Sequence, residues 1–171
     1  MTRRYDKYKF CLNILNILLF LLDITLDLLK TLCMETSNYT ICYFSDETIP
    51  LTDADMETLF TRSSTFNNAH NIYGIFLHIA GKYLQILEGN KEVIDSLYAR
   101  ILEDGRHKNV YEVFNKKTEN LIFKEYNSKF SIVKTTDDLV DINDYLESNR
   151  YDSRCDKLAR LLAPFLMFRE A

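Results

Sequence analysis

The chain of 171 residues has no tryptophan, four glycines, two prolines and four cysteines. With so little glycine it carries no phosphate-cradling loop: neither G-x-G-x-x-G nor a Walker loop occurs. The cysteines at 11, 33, 42 and 155 form no Cys-x-x-Cys pair, and His70, His78 and His107 fall at no metal-ligand offset from them. No metal is therefore expected, and the thiols read as reduced, buried groups of a cytosolic protein. H-E-x-x-H is missing, and no histidine stands by an evident nucleophile, so an enzyme is not expected. A formal charge of -4, a sequence pI near 5.4 and no basic run with interleaved aromatics exclude a nucleic-acid partner.

What is present suits a folded domain: 47% hydrophobic and 27% charged residues, with 11 tyrosines and 11 phenylalanines. The length argues for one domain with appendages. Residues 1–35 follow a grammar of their own. Arg3, Arg4, Lys7 and Lys9 precede an apolar stretch from Phe10 to Leu32, whose polar members Asn13, Asn16, Asp23, Asp27 and Lys30 share one helical stripe. Its uncharged run, Phe10 to Leu22, is too short to span a bilayer, and no small-residue cleavage site follows. Thr2-Arg3-Arg4 lacks the rest of a twin-arginine signal. An amphipathic helix docking on a partner, on a second copy in a homo-oligomer, or on a membrane surface is expected. The protein is then cytoplasmic, and peripheral to the membrane in the last case. Met34, nine positions ahead of Tyr43, offers an alternative start, against which the polar stripe argues.

Residues 38–133 read as a ferredoxin-like βαββαββ domain of the α+β class. Asn38–Phe44 predicts a first strand, and Thr52 with Asp55 opens a helix to about Thr65. Ile72–Ile79 and Tyr83–Glu88 form a hairpin across Ala80-Gly81-Lys82. Val93, Ile94, Leu97, Tyr98, Ile101 and Leu102 mark one face of a second helix. Val110–Asn115 and Leu121–Tyr126 predict a closing pair of strands, and right-handed crossovers make the first and third strands central neighbours. Residues 134–171 predict a helical cap, two short amphipathic helices interrupted near Pro164 that cover the sheet's other face.

Two polar residues stand out in apolar strands: Gln85 in Tyr-Leu-Gln-Ile-Leu and Tyr43 in Thr-Ile-Cys-Tyr-Phe. On a shared face of neighbouring strands, phenol and amide meet. A buried amide needs partners for two donors and two acceptor lone pairs, or it costs about 1–3 kcal/mol. Those partners are either protein groups or the polar edge of a ligand. Arg100, Arg106 and His107 at the end of the second helix suit an anionic ligand such as a pyrophosphate. The pattern alone favours instead a solvated terminus whose cations complement the helix dipole. His78 reads as structural and His70 as a solvated loop residue.

At these residues the chain resembles the BLUF family of flavin-dependent blue-light sensors, over Tyr39–Ile132. Tyr83–Gly89 is similar to its phenylalanine/tyrosine-Leu-Gln-Val-Leu-Glu-Gly signature and Asp104-Gly-Arg-His107 to its Asp-x-Arg-His. Asn71-Ile-Tyr-Gly74 stands where the family has Gly-Ile-Thr-Gly. The resemblance implies FAD lying between the two helices, Tyr43 as electron donor and Gln85 as the amide bridging it to the flavin. It implies Asn67, or Asn68 in a gapped loop, on the ring's carbonyl side, and Arg100, Asp104, Arg106 and His107 along the ribityl and phosphate side. The family's Trp-Ser-Met is replaced by Tyr126-Asn-Ser128, which leaves the output route open between Tyr126 and Ser128. A short photoreceptor acting on a separate protein effector is implied. A flavin-holding adapter with decoupled output and a flavin-independent ferredoxin-like small-molecule regulator are the competing readings.

Overall fold

In the computed structural model, residues 22, 24, 25, 37–126 and 129–167 are described. Two compact units make up the chain, Met1–Thr36 and Ser37–Ala171. In the first, Leu22, Ile24 and Thr25 are helical, and the Thr25 hydroxyl donates to the Leu22 carbonyl at 2.9 Å. The remainder of the expected N-terminal helix, with the docking and membrane contacts expected of residues 10–32, lies outside the described residues. No helix among the described residues is long and apolar enough to cross a membrane.

The second unit is a five-stranded sheet with helices on both faces. Its elements run β1 (Asn38–Glu47), α1 (Asp53–Ala69), β2 (Tyr73–Ile79), β3 (Lys82–Asn90), α2 (Lys91–Leu102) and β4 (His107–Thr118). A 3-10 turn (Ile122–Glu125), β5 (Phe130–Val133), α3 (Thr136–Ser148) and α4 (Ser153–Leu166) follow. The strand order is β4-β1-β3-β2-β5, so β1 and β3 are central neighbours as the crossover rule requires. Pairing is antiparallel except for β2 with β5, which is parallel.

Strand alternation sends two sets of side chains to two cores. Ile41, Tyr43, Phe76, Tyr83 and Leu87 pack with Leu59 and Phe60 of α1 and Ile94 and Tyr98 of α2. Cys42, Ile75, Leu77, Leu84 and Ile86 pack with Leu139, Ile142 and Leu146 of α3 and Leu158 and Leu162 of α4. Because both faces are covered, β3 is buried continuously from Tyr83 to Gly89. The β2–β3 turn places Ala80 and Gly81 at φ 50° and 72°, the paired positive values of a two-residue hairpin. Gly74 has no room for a side chain: at φ 133° a Cβ there would lie 1.9 Å from the Ile86 carbonyl oxygen.

Three sequence expectations are corrected. Leu121–Tyr126 is not a strand. The segment closes as a 3-10 turn at Ile122–Glu125, held by the Phe123 amide donating to Glu88 Oε2 and the Ile122 carbonyl accepting from the Tyr145 hydroxyl. The fifth strand lies further on and joins the opposite edge of the sheet beside β2. Helix α1 continues past Thr65 to Ala69, so Asn67 and Asn68 belong to its last turn and not to a loop. The C-terminal helices separate at 149–152, where Asp152 caps α4 by accepting from the Arg154 amide at 2.9 Å. Pro164 sits inside α4, near its end, without interrupting it.

Candidate functional site

The ladder between the central strands sets Tyr43 directly opposite Gln85. Both side chains face the α1/α2 side of the sheet, and the wholly buried Tyr43 hydroxyl donates to Gln85 Oε1. That bond satisfies one end of the amide. The Nε2 group makes no hydrogen bond to a described residue, and Gln85 lines a cavity of about 640 Å³ between the two helices.

Helix periodicity builds the walls of that cavity. Leu59, Arg62 and Phe66 recur at three and four along α1, and Leu97, Arg100 and Ile101 do so along α2. Phe76 of β2 and Gln85 of β3 form the floor. Asn67 lines the cavity, is 1% exposed and has no hydrogen-bond partner for its carboxamide among the described residues. Asn68 faces elsewhere: its Oδ1 accepts from the Phe130 amide at 3.0 Å and its Nδ2 donates to Ser64 Oγ at 3.2 Å. The two asparagines are thus separated by role, one toward the cavity and one holding β5 to α1.

Arg100, Asp104, Arg106 and His107 line the same cavity. Arg106 and His107 do not end the helix, as the spacing suggested, since α2 stops at Leu102 and His107 begins β4. The Arg106 Nε donates to both Asp104 oxygens at 2.9 and 3.0 Å, holding that carboxyl down at about 2. Arg106 is therefore largely neutralised by Asp104. Arg100, stacked 5.3 Å over the Phe66 ring, and Arg62 supply the remaining positive charge. The sequence reading missed Arg62; its place three residues after Leu59 and four before Phe66 was the available signal.

Tyrosines surround the Tyr43–Gln85 pair. The Tyr98 ring lies 5.4 Å from that of Tyr43, and His107 meets it edge-on at 6.2 Å. His107 Nδ1 is 2.7 Å from Ser45 Oγ, and burial lowers its pKa. Burial also pushes the Tyr43 phenol well above its ordinary value, reinforced by Tyr98 and Asp104. Burial pushes Tyr98 up to about 12, and burial together with Glu47 does the same for Tyr83. The phenols stay protonated, which keeps the Tyr43 proton available to Gln85.

The profile of BLUF, described as sensors of blue-light using FAD, matches residues 39–129. The chain belongs to the BLUF family. The sensor family binds a flavin, and the cavity fits one: apolar walls for a planar ring, two buried carboxamides with polar atoms that no described residue engages, and three arginines in the lining. The chain is similar to the photoactivated adenylate cyclase subunit alpha-like protein FB of Euglena gracilis, 33% identical over 59% of this chain and 10% of that protein. It is 28% identical to photoactivated adenylate cyclase subunit beta of Euglena gracilis over 62% of this chain and 12% of that one. The chain therefore spans about a tenth of the length of these curated relatives. Among solved structures, BlrP1 BLUF superposes with a TM-score of 0.53 at 29% identity, covering 65% of this chain and 77% of that one. Klebsiella pneumoniae BlrP1 in complex with manganese and cyclic diGMP gives 0.59 at 26% identity, covering 74% and 33%.

In this BLUF domain Tyr126 stands apart from the cavity. Its half-buried ring packs 4.9 Å from Tyr145 of α3 and 6.1 Å from Phe123. Ser128 lies outside the described residues. Of the two remaining histidines, His70 is exposed and stacks on Phe66 at 4.0 Å. His78 Nε2 is buried 3.5 Å from Glu47 Oε2. Cys42 and Cys155 are buried free thiols.

Proposed function

We propose that this chain is a blue-light photoreceptor that holds FAD between α1 and α2 and signals to a separate protein. The buried Tyr43–Gln85 pair on the cavity floor is the observation that carries the reading. When bound and excited, a flavin supplies an oxidant for a neighbouring phenol.

Tyr43 is the phenol at that place. Its burial bars loss of the proton to water, so the proton that oxidation of the phenol releases passes along the existing hydrogen bond to Gln85 Oε1. Gln85 then changes its hydrogen-bond pattern by rotation or tautomerisation, exchanging donor and acceptor without changing volume. Its Nε2, which no described residue engages, is the end through which that exchange reaches the cavity. Asn67 holds the polar ring edge with a carboxamide that no described residue engages. Arg62, Arg100 and Arg106 line the cavity and are the side chains for the phosphates, with Asp104 fixing Arg106 in place and His107 standing beside the Tyr43 ring. The arginines there suit a pyrophosphate, which supports FAD as the resident form.

A second reading, a flavin-holding adapter whose light response is decoupled, is favoured by the position of Tyr126 on Tyr145, away from the cavity. Absorption spectroscopy of the purified protein separates the two. The photoreceptor reading expects a yellow protein whose flavin band shifts reversibly to the red under blue light. Colour without a shift supports the adapter, and absence of colour after reconstitution overturns both. Mass analysis of the released flavin tests FAD against FMN.

A further inference from the structure

Of the seven buried polar or charged side chains among the described residues, Ser45, Asn67 and Gln85 lie on the cavity side of the sheet. The other four, Thr40, Glu88, Thr118 and Arg154, form one cluster on the opposite side. Glu88 has no exposed surface. Its Oε1 accepts from Thr40 Oγ1 of β1 at 2.9 Å, and its Oε2 accepts from the Phe123 amide of the 3-10 turn at 2.9 Å. Arg154, at the start of α4, brings Nη1 to 3.8 Å from Glu88 Oε1. The same guanidinium donates to Thr40 Oγ1 at 3.3 Å, to Thr118 Oγ1, to the Asn120 carbonyl at 2.8 Å and to Asp152. The Tyr145 hydroxyl of α3 donates to the Ile122 carbonyl at 2.6 Å, tying the other C-terminal helix to the same turn.

The register makes this cluster more than a staple. Tyr43 pairs with Gln85, and Thr40 pairs with Glu88, on the same two strands and three residues away on each. Odd spacing turns the second pair to the opposite face of the sheet. Any displacement of β3 against β1 that follows a change at Gln85 must therefore act on Thr40, Glu88 and, through them, Arg154. A buried ion pair is a poor way to gain stability and a well-attested way to hold one of two arrangements.

We propose that the Glu88–Arg154 clasp carries the light-dependent change at Gln85 to the C-terminal helix pair, with Glu88 as its positioning residue. The inference rests on the photoreceptor reading. It gives output a route that requires nothing of Ser128.

Burial pushes the Glu88 carboxyl up to about 7, opposed by its hydrogen bonds and by Arg154. The groups around it are Thr40 of β1, its ladder partner Tyr73 of β2, Lys116 and Thr118 of β4, the amides of Ile122 and Phe123, Tyr145 of α3, and Asp152, Arg154 and Cys155 of α4. Asp152 is held below the ordinary carboxylate value, while Tyr145, Arg154 and Cys155 are raised. Among these neighbours the near-neutral range belongs to Glu88.

The test is light-minus-dark hydrogen exchange on the flavin-loaded full chain, read in peptides covering 122–126 and 136–166, at about pH 6 and about pH 8. Wild type is expected to show a light-dependent difference whose size changes between the two pH values. Glu88→Gln is expected to keep the red shift, lose the pH dependence and reduce the difference by about fivefold. Thr40→Val, which leaves both charges in place and cuts only the link to β1, is expected to reduce it too, and serves if Glu88→Gln does not fold. A normal red shift with undiminished exchange differences in the variants overturns the clasp alone. Absence of any wild-type shift overturns the photoreceptor reading and the clasp with it.

Discussion

Replacing Glu88 by glutamine is expected to stabilise the protein at alkaline pH and to leave it nearly unchanged in mild acid. Glu88 is wholly buried, and its carboxyl rises from an ordinary 4.5 to about 7 in the fold. The folded state thus prefers the neutral form. The stability this gives is fully present below about pH 4.5 and is lost as pH rises through about 7. At about 1.4 kcal/mol per pH unit, the interval corresponds to about 3 kcal/mol. Glutamine has the shape of the neutral acid and no charge at any pH. Its oxygen can accept from the Phe123 amide while its nitrogen donates to Thr40 Oγ1, so both bonds have a replacement. Arg154 loses one attraction but keeps Asp152, Thr118 and the Asn120 carbonyl. Urea unfolding of wild type and variant, followed across pH, measures the difference directly, because the other carboxylates are common to both and cancel. The variant's advantage should grow from near zero at about pH 4.5 to about 3 kcal/mol at about pH 8. A difference that is flat with pH, or a variant destabilised at alkaline pH, refutes the account of Glu88 as an unfavourably buried charge.

Tyr43→Phe and Gln85→Leu are each expected to retain flavin and lose the reversible red shift, since neither change touches the arginines of the cavity; difference spectra under blue light check this. Asn67→Ala should weaken flavin retention by about 1–3 kcal/mol, measured by equilibrium titration, because it removes a buried polar partner. Asn68→Ala should instead lower the unfolding midpoint with flavin affinity near normal, since its side chain holds the Phe130 amide. Gly74→Ala should cost about 4 kcal/mol or more, or abolish folding, as its Cβ would meet the Ile86 carbonyl at 1.9 Å. Circular dichroism and denaturant melts report that outcome.

Where local pattern and tertiary contact agree, the sequence was enough. The face of α2, the β2–β3 hairpin and the adjacency of β1 and β3 follow from periodicity, turn chemistry and crossover handedness, and they suffice to bring Tyr43 to Gln85. Where a distant contact decides, local pattern was silent. Leu-Ile-Phe at 121–123 suits a strand or a buried turn equally, and the Glu88 carboxylate that accepts from the Phe123 amide lies 35 residues away. Asparagine is a weak helix former, so the pattern ended α1 near Thr65. The bond from Asn68 to Phe130, 62 residues distant, helps extend it and places Asn67 against the cavity. The four-residue β5 is too short to announce itself without β2.

Gln85 and Glu88 were not equally visible, and the difference has a physical cause. Gln85 is flanked on both sides by apolar residues, so its polarity stands out within β3. Glu88 precedes Gly89 and reads as the solvated end of a strand. That reading holds only if the far face of the sheet is open to water. The amphipathic helices after residue 134 were expected to cover that face, and α3 and α4 do so. Once they do, strand alternation requires that a residue an odd number of positions from Gln85 be buried beneath them, and Glu88 is such a residue. A buried carboxylate then requires donors and a cation nearby. The guanidinium that reaches the Glu88 carboxylate, at 3.8 Å, is that of Arg154, on the helix that covers it. The polar pair on one face of the central strands was legible from its neighbours in sequence. The pair on the other face becomes legible only when the helices that bury it are taken into account.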